Sequence, residues 1–354
     1  MSGVAEVAVD ATEAEIDAEG DVDVDVEVDE VAPDVVVELA VELVRETISL
    51  RIEVPRECDG WRLDHFLKRR IGRLSRTRIQ DIIATQVTLS DGRRPRSSAS
   101  VHAGQIIRLD RPAPVEPEVP RHFEVLFEDA DVLAIDKPAG LPIHPTAKFW
   151  RNTLTAVLRE RYAPEPMQVA HRIDRETSGV LLVARTAVAA SWLKRAFARR
   201  AVDKSYLALV KGHPPDEGVI DQPIKLLDTP THVMMGPAAD GLKAVTRFRV
   251  VRRFAAHALC EAHPETGRQH QIRVHFASIG HPIVGDKLYG AGERWFMRAC
   301  DEGVGPELLA VFDGLARHAL HAHRLTFPHP RTRAPTTIVS PLPADLAEYI
   351  ARLD

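Results

Sequence analysis

Apolar and polar residues alternate through TISLRIEVP, residues 47–55, and place Ile48, Leu50, Ile52 and Val54 on one side of an extended chain, the pattern of a strand. From Trp61 the period lengthens. Leu63, Phe66, Leu67 and Ile71 mark one helical face, with Lys68, Arg69 and Arg70 beside it. Ser75 stands where it can cap a second helix reaching about Ile83. QVTLS then leads as a short strand into an Asp91-Gly92 turn, and QIIRL follows His102-Ala103-Gly104 as another strand. RPAPVEPEVP, residues 111–120, holds four prolines and reads as an extended, semi-rigid linker. Beyond Phe123 the apolar segments are short and β-rich, among them EVLFED, DVLAIDKP, GVLLVAR, SYLALVKG and HALCEAH. Helices are expected at Asn152 to Tyr162, Ala187 to Arg199 and Pro306 to His318. In TGRQHQIRVHF, residues 266–276, alternation predicts a strand with Gln269, Gln271, Arg273 and His275 on one face. Strands and helices follow no regular βαβ order, which predicts an α+β fold with a mixed, mostly antiparallel sheet in the second half.

Composition sharpens this outline. A chain of 354 residues is about two domains long. Its net charge of −5 is strongly segregated: residues 1–48 carry sixteen Asp/Glu against Arg45 alone, and the other 306 carry 45 Lys/Arg against 35 Asp/Glu. The acidic segment, with DVDVDVEVDE at 21–30, has a strand's period but too dense a like charge to pack, and is expected to be a disordered tail. A body of net +10 points to a polyanion partner, in the first place nucleic acid. No apolar run of ~18 residues and no signal-peptide start occur, so a soluble cytoplasmic protein is expected, with no membrane partner. Cys58, Cys260 and Cys300 are scattered and odd in number, against a disulfide framework or a thiolate zinc site. LHAHRLTFPHP, residues 320–330, is rich in histidine but lacks a carboxylate or cysteine partner, so no metal is expected there.

The densest chemistry lies in HRIDRETSG, residues 171–179. Asp174 falls in a loop entering the strand VLLVA, where a rigid sheet can present a side chain, although Asp, Thr, Ser and Gly also serve simply as turn residues. Arg273 is a partner for a carboxylate whose burial would otherwise be costly. Tyr206, in KSYLAL, can stack on a base or be an ordinary core tyrosine. Reading Asp174 and Glu176 as the acid pair of a glycosidase fails, because two residues apart does not by itself leave room for a water between them.

Two resemblances organise these residues. Arg62 to Asp64, Ser75-Arg76-Thr77, Gln86-Val87 and Gly104-Gln105 resemble the S4 RNA-binding module, with Gln86 where glycine is usual. Residues 52–112 hold thirteen Lys/Arg against seven Asp/Glu. DKPAGLPIHP at 136–145, HRIDRETSG, KSY at 204–206, TGRQHQIRVHF and LHAHRLTFPHP, in that order, resemble the RluA-type pseudouridine synthases, in the branch with an N-terminal S4 domain. The charge segregation marks an acidic tail at 1–48 and the prolines a linker at 113–120, while the resemblance implies an S4-like domain at 49–112 and a catalytic domain at 121–354. It implies isomerisation of uridine in RNA, in which the N1–ribose bond breaks and C5 joins the same sugar carbon, with no cofactor or metal. Asp174 would be the reacting carboxylate, by addition to the sugar carbon or by removal of a ribose proton. Tyr206 would pack on the uracil, Arg273 would pair with Asp174, and Arg172 would fill the space of the flipped nucleotide. Arg268, Arg62, Arg76 and Arg78 are further candidates for contact with the substrate. A monomer acting on large-subunit ribosomal RNA is expected, with transfer RNA second. The alternative is a non-catalytic S4-type RNA-binding or ribosome-assembly protein.

Overall fold

The computed structural model describes residues 42–44, 47–71, 75–112, 116–146, 148–231 and 233–353. The acidic segment as far as residue 41 and linker positions 113–115 lie outside the described residues. Those described fall into two compact units, 42–112 and 116–353.

In the first unit β1 (Glu42–Val44), β2 (Thr47–Glu53), β3 (Val87–Leu89) and β4 (Ile106–Pro112) form an antiparallel sheet in the order β1-β2-β4-β3. Leu43 and Val44 pair with Ile48 and Thr47, because the apolar alternation of 47–55 gives them a strand edge to join. Helices α1 (Leu63–Ile71) and α2 (Arg76–Gln86) carry the apolar stripes that bury Phe66, Leu67, Ile79 and Ile83 with Ile52, Val87 and Ile107. Ser75 caps α2, its Oγ accepting from the Arg78 N–H at 3.2 Å.

The second unit is built on one ten-stranded sheet. Its elements run β5 (Glu124–Glu128), β6 (Val132–Lys137), α3 (Leu154–Tyr162), β7 (Gln168–Val169), β8 (Ser178–Ala184), α4 (Ala187–Ala198), β9 (Asp203–Lys211) and β10 (Glu217–Asp221). There follow the hairpin β11 (Ile224–Leu226) and β12 (Met235–Pro237), then β13 (Val245–Arg253), β14 (His257–Pro264), α5 (Gln271–Ser278), α6 (Glu293–Glu302) and α7 (Pro306–Val311). The chain closes with β15 (Leu320–Pro328), β16 (Pro335–Val339) and α8 (Ala344–Ala351). The strand order is β10-β13-β14-β9-β15-β8-β6-β5, with β16 on β15 and β7 on β8. The β15–β8 pair is parallel and the other described pairs are antiparallel.

Strand β8 is apolar on both sides because both sides are covered. Val180, Leu182 and Ala184 meet Ala189, Ala190 and Leu193 of α4, while Leu181 and Val183 meet Leu154 and Leu158 of α3. Each such side chain contributes roughly 1.5–3 kcal/mol by leaving water. The expected helices at 152 and 187 are present, the first starting at Leu154 behind a Thr153 cap. The helix expected to reach His318 stops at Val311, where Asp313 and Gly314 take positive φ and turn the chain. Of the linker, 116–120 does not run free: the Glu116 carboxylate accepts from the backbone N–H groups of Arg151 and Asn152, at 2.8 and 2.7 Å.

Candidate active site

Asp174 lies in the segment that enters β8, near the middle of the large sheet. Its carbonyl accepts from the Thr177 N–H at 3.1 Å, closing the turn ahead of the strand. The turn is anchored from below by Lys137, the last residue of β6. Lys137 is wholly buried, and its Nζ donates to the carbonyls of Pro138 (2.9 Å), Leu141 (2.8 Å) and Arg175 (2.9 Å). One ammonium thus ties the residue after Asp174 to the Lys-Pro-Ala-Gly segment. Burial pulls its pKa down to about 7, against the opposing charge of Asp174.

The strand expected at 266–276 is a helix. Thr266 to His270 turn into α5, with His270 left-handed at φ 55°, and Gln271 to Phe276 are six consecutive buried residues. A helix buried all round has no solvent face, so the alternating polar side chains that look like a strand's wet face are internal hydrogen-bonders. Gln271 accepts from Thr266 Oγ1 at 2.6 Å and the Arg268 N–H at 3.0 Å, and donates to the Val245 carbonyl at 2.9 Å. Its amide locks the turn that starts the helix.

From α5, Arg273 reaches two carboxylates at once. Nη1 donates to Asp174 Oδ2 at 2.8 Å, while Nε and Nη2 grip Asp286 in a fork at 2.7 and 3.0 Å. Asp286 Oδ1 also accepts from the N–H groups of Leu288 and Tyr289, both at 3.0 Å, and the Tyr289 ring lies 5.0 Å from the guanidinium. Asp286 therefore fixes Arg273, and Arg273 fixes Asp174. Burial would push the Asp174 pKa up; the positive charges of His270, Arg273 and His318 outweigh it and hold the group far below the usual carboxylate range. At neutral pH Arg273 carries that effect, because burial pulls His270 to about 4 and His318 to about 3 and leaves both uncharged.

The other expected residues divide into those near Asp174 and those elsewhere. Tyr206 of β9 sits half-buried between two apolar clusters, opposite Ala262 and Ala322. Burial, then the charge of Asp174, raise its pKa well above the ordinary phenol value, so it stays protonated. Arg172 is half-buried, its pKa drawn down to about 10 by burial against the pull of Asp174. The Arg268 side chain bonds the Lys243 carbonyl at 3.3 Å, flanking the start of α5. Glu176 is taken by Lys287, with the His318 N–H at 3.4 Å. Arg62, Arg76 and Arg78 belong to the first unit. There Arg62 forks the buried Asp64 at 3.0 and 2.7 Å, Arg76 lies 3.7 Å from the same carboxylate, and Arg78 is exposed.

Sequence reasoning missed Lys137, Asp286, His270 and His318. Asp286 stands in the Gly-Asp of HPIVGDKLYG, a turn signal after an apolar run, and nothing in that local pattern says that its carboxylate points at Arg273. Among the described residues no group of three His, Cys, Asp or Glu could hold a metal ion, and no helix is long and apolar enough to cross a membrane.

The sequence model of one family, RNA pseudouridylate synthase, matches residues 131–278, a span that contains Lys137, Asp174, Tyr206 and Arg273. The ribosomal large subunit pseudouridine synthase D of Xylella fastidiosa is 36% identical over 314 residues, covering 86% of this chain and 92% of the relative. The chain belongs to the RNA pseudouridine synthase family. The Escherichia coli O157:H7 protein of the same name is 32% identical to this synthase over 316 residues, 86% of this chain and 94% of the relative. Among solved structures, human RNA pseudouridylate synthase domain containing 4 matches the synthase with a TM-score of 0.51 and 27% identity, over 65% of this chain and 92% of that one. The reaction is the isomerisation of uridine in RNA to pseudouridine, and the enzyme is an isomerase.

Proposed function

We propose that this synthase modifies large-subunit ribosomal RNA, that Asp174 is its reacting carboxylate, and that residues 49–112 form an S4-like module giving a second RNA contact. The observation that carries the catalytic assignment is the sharing of Arg273 between Asp174 and Asp286. A partly buried carboxylate kept ionised by one fixed donor retains a second oxygen for the ribose, whether it adds to the sugar carbon or removes a proton. Tyr206, two apolar clusters behind it and its hydroxyl protonated, offers a ring for the uracil. Arg172 next to Asp174 takes the place of the flipped nucleotide, offsetting part of an unstacking cost of a few kcal/mol. Arg268, Arg62, Arg76 and Arg78 contact RNA phosphates. The ribosomal target rests on what the relatives are named for, and a cytoplasmic monomer fits it.

The test is Asp174→Asn, which keeps size and removes charge. Pseudouridine formation in a large-subunit RNA transcript, read by tritium release from C5, should fall by at least roughly 10²–10⁴-fold. RNA affinity should change little. Appreciable turnover by the variant would remove Asp174 from the chemistry; a wild-type enzyme that modifies only transfer RNA would move the target.

A further inference from the structure

A polar cavity of ≈ 600 Å³ beside β9 is lined by Arg200, Lys204, Arg247 and Arg324, together with Asp203 and Glu265. Four cations against two carboxylates leave it net positive. Two of the cations are committed. Arg247 pairs with Glu265, and Arg324 lies 3.3 Å from Glu261. Arg200 and Lys204 are different: among the described residues neither meets a carboxylate within ion-pair distance. The Lys204 ammonium is half-buried and donates to the Thr266 carbonyl at 3.0 Å, which leaves two N–H groups for something else. Burial, then the charge of Arg200, pull its pKa down to about 8. Two like charges that act on one another, one of them half-buried, are stabilised by an anion between them.

We propose that Arg200 and Lys204 form a subsite for one phosphodiester of the substrate RNA strand, next to the target nucleotide. The inference rests on the reading of Asp174 and Tyr206 as the uridine site. Lys204 precedes Tyr206 by two residues on β9, about 7 Å along the strand. Thr266, which receives the Lys204 hydrogen bond, opens the turn into α5 and hence the path to Arg273. Lys204 therefore shares the face of β9 that carries Tyr206 and bonds the turn that leads into α5, so its ammonium stands beside both elements that frame the uracil. A phosphodiester brings two non-bridging acceptor oxygens and one negative charge, which matches an ammonium and a guanidinium better than any neutral ligand does.

The experiment uses the full chain, a large-subunit ribosomal RNA transcript that it modifies, and a salt series. Lys204→Gln and Arg200→Gln should each weaken binding and flatten log affinity against log salt by about 0.7–0.9, the share of one phosphate contact. Lys204→Arg should restore the slope. Arg247→Gln, whose guanidinium is already held by Glu265, should flatten it less. Neutral methylphosphonates placed one at a time around the target uridine should reveal one position that weakens wild-type binding about tenfold, the loss of one charge-assisted hydrogen bond. That position should become silent in the double variant. Unchanged slopes in both single variants, or the same methylphosphonate penalty in the double variant as in the wild type, would overturn the subsite. Arg200 is exposed, so its variant decides the matter even if Lys204→Gln fails to fold. A wild-type enzyme that modifies no RNA would sink the uridine site itself, a separate result.

Discussion

Arg273 is a cation divided between two carboxylates, and the division explains why Asp174 alone of them is free to react. Asp286 takes two of the five guanidinium N–H donors, is wholly buried, and has its remaining capacity filled by backbone N–H groups. Asp174 takes a single donor and keeps one fifth of its side chain exposed. Replacing Asp286 by Asn leaves Asp174 as the remaining carboxylate against the buried guanidinium and breaks the two-pronged fork. The expected cost is about 3–5 kcal/mol of stability, as for a broken buried pair, read from the urea midpoint at pH 7. The turnover number should fall with it while RNA affinity holds, since the Asp286 side chain is wholly buried against the arginine. A variant with wild-type stability and rate would show that the Asp286 fork does not fix Arg273. The acid limb has a definite sign. Burial opposes ionisation of Asp286, Arg273 outweighs it, and the folded pKa sits at about 2, below the unfolded value. Its contribution is complete above about pH 4 and is lost as pH falls toward 2.

At the level of elements, the site depends on how closely β15 approaches β8. Gly179 has φ +112°, and a Cβ there would lie 2.2 Å from the Ala322 carbonyl oxygen, a backbone atom that cannot swing away. The parallel pairing of His321 with Ser178 and Ala322 with Gly179 joins the two halves of the sheet, and Asp174 and Tyr206 stand on either side of that seam. Gly179→Ala should therefore cost at least about 3 kcal/mol and reduce activity in the fraction that folds, checked by thermal melting and single-turnover kinetics. A loss below ~1 kcal/mol would mean that the seam yields more easily than the close approach implies. The Gly after the Ser in HRIDRETSG is thus a requirement of sheet packing, and the catalytic loop inherits its position from it.

At the scale of the whole molecule, several buried or half-buried histidines are held neutral. His171, His270, His318 and His321 have pKa values pulled down by burial to about 3, 4, 3 and 4. His171 shows why: its Nε2 accepts the Leu182 N–H at 3.1 Å, and its ring stacks on Phe197, so a proton at Nε2 would break a strand contact. Each of these groups binds a proton more readily unfolded than folded. Their contribution is complete above about pH 6.5 and is lost as pH falls toward 4. Urea unfolding of the full chain should show stability dropping by about 1.4 kcal/mol per pH unit for each of them once below pH 6. His171→Asn should reduce that slope by one histidine's share. A flat profile from pH 7 to 5 would contradict neutral burial.

Local pattern was enough for whatever depends on neighbours in sequence. The α1 and α2 stripes, the strand β8, the Ser75 cap and the loop position of Asp174 could all be read from spacing, because periodicity and capping are properties of short stretches. Recognition of ordered motifs carried the reading further, to the pairing of Asp174 with Arg273 across 99 positions. The same spacing misled at α5, where Ile272, Val274 and Phe276 alternate as in a strand. Only a helix enclosed on every side makes its polar residues face inward, and enclosure comes from β12, β13 and β14, not from the segment itself. Asp286 and Lys137 were invisible for a related reason. A carboxylate in a turn and a lysine at a strand end look solvated in sequence. It took the folded sheet to bury them, and burial turned ordinary surface charges into the groups that hold the site in place.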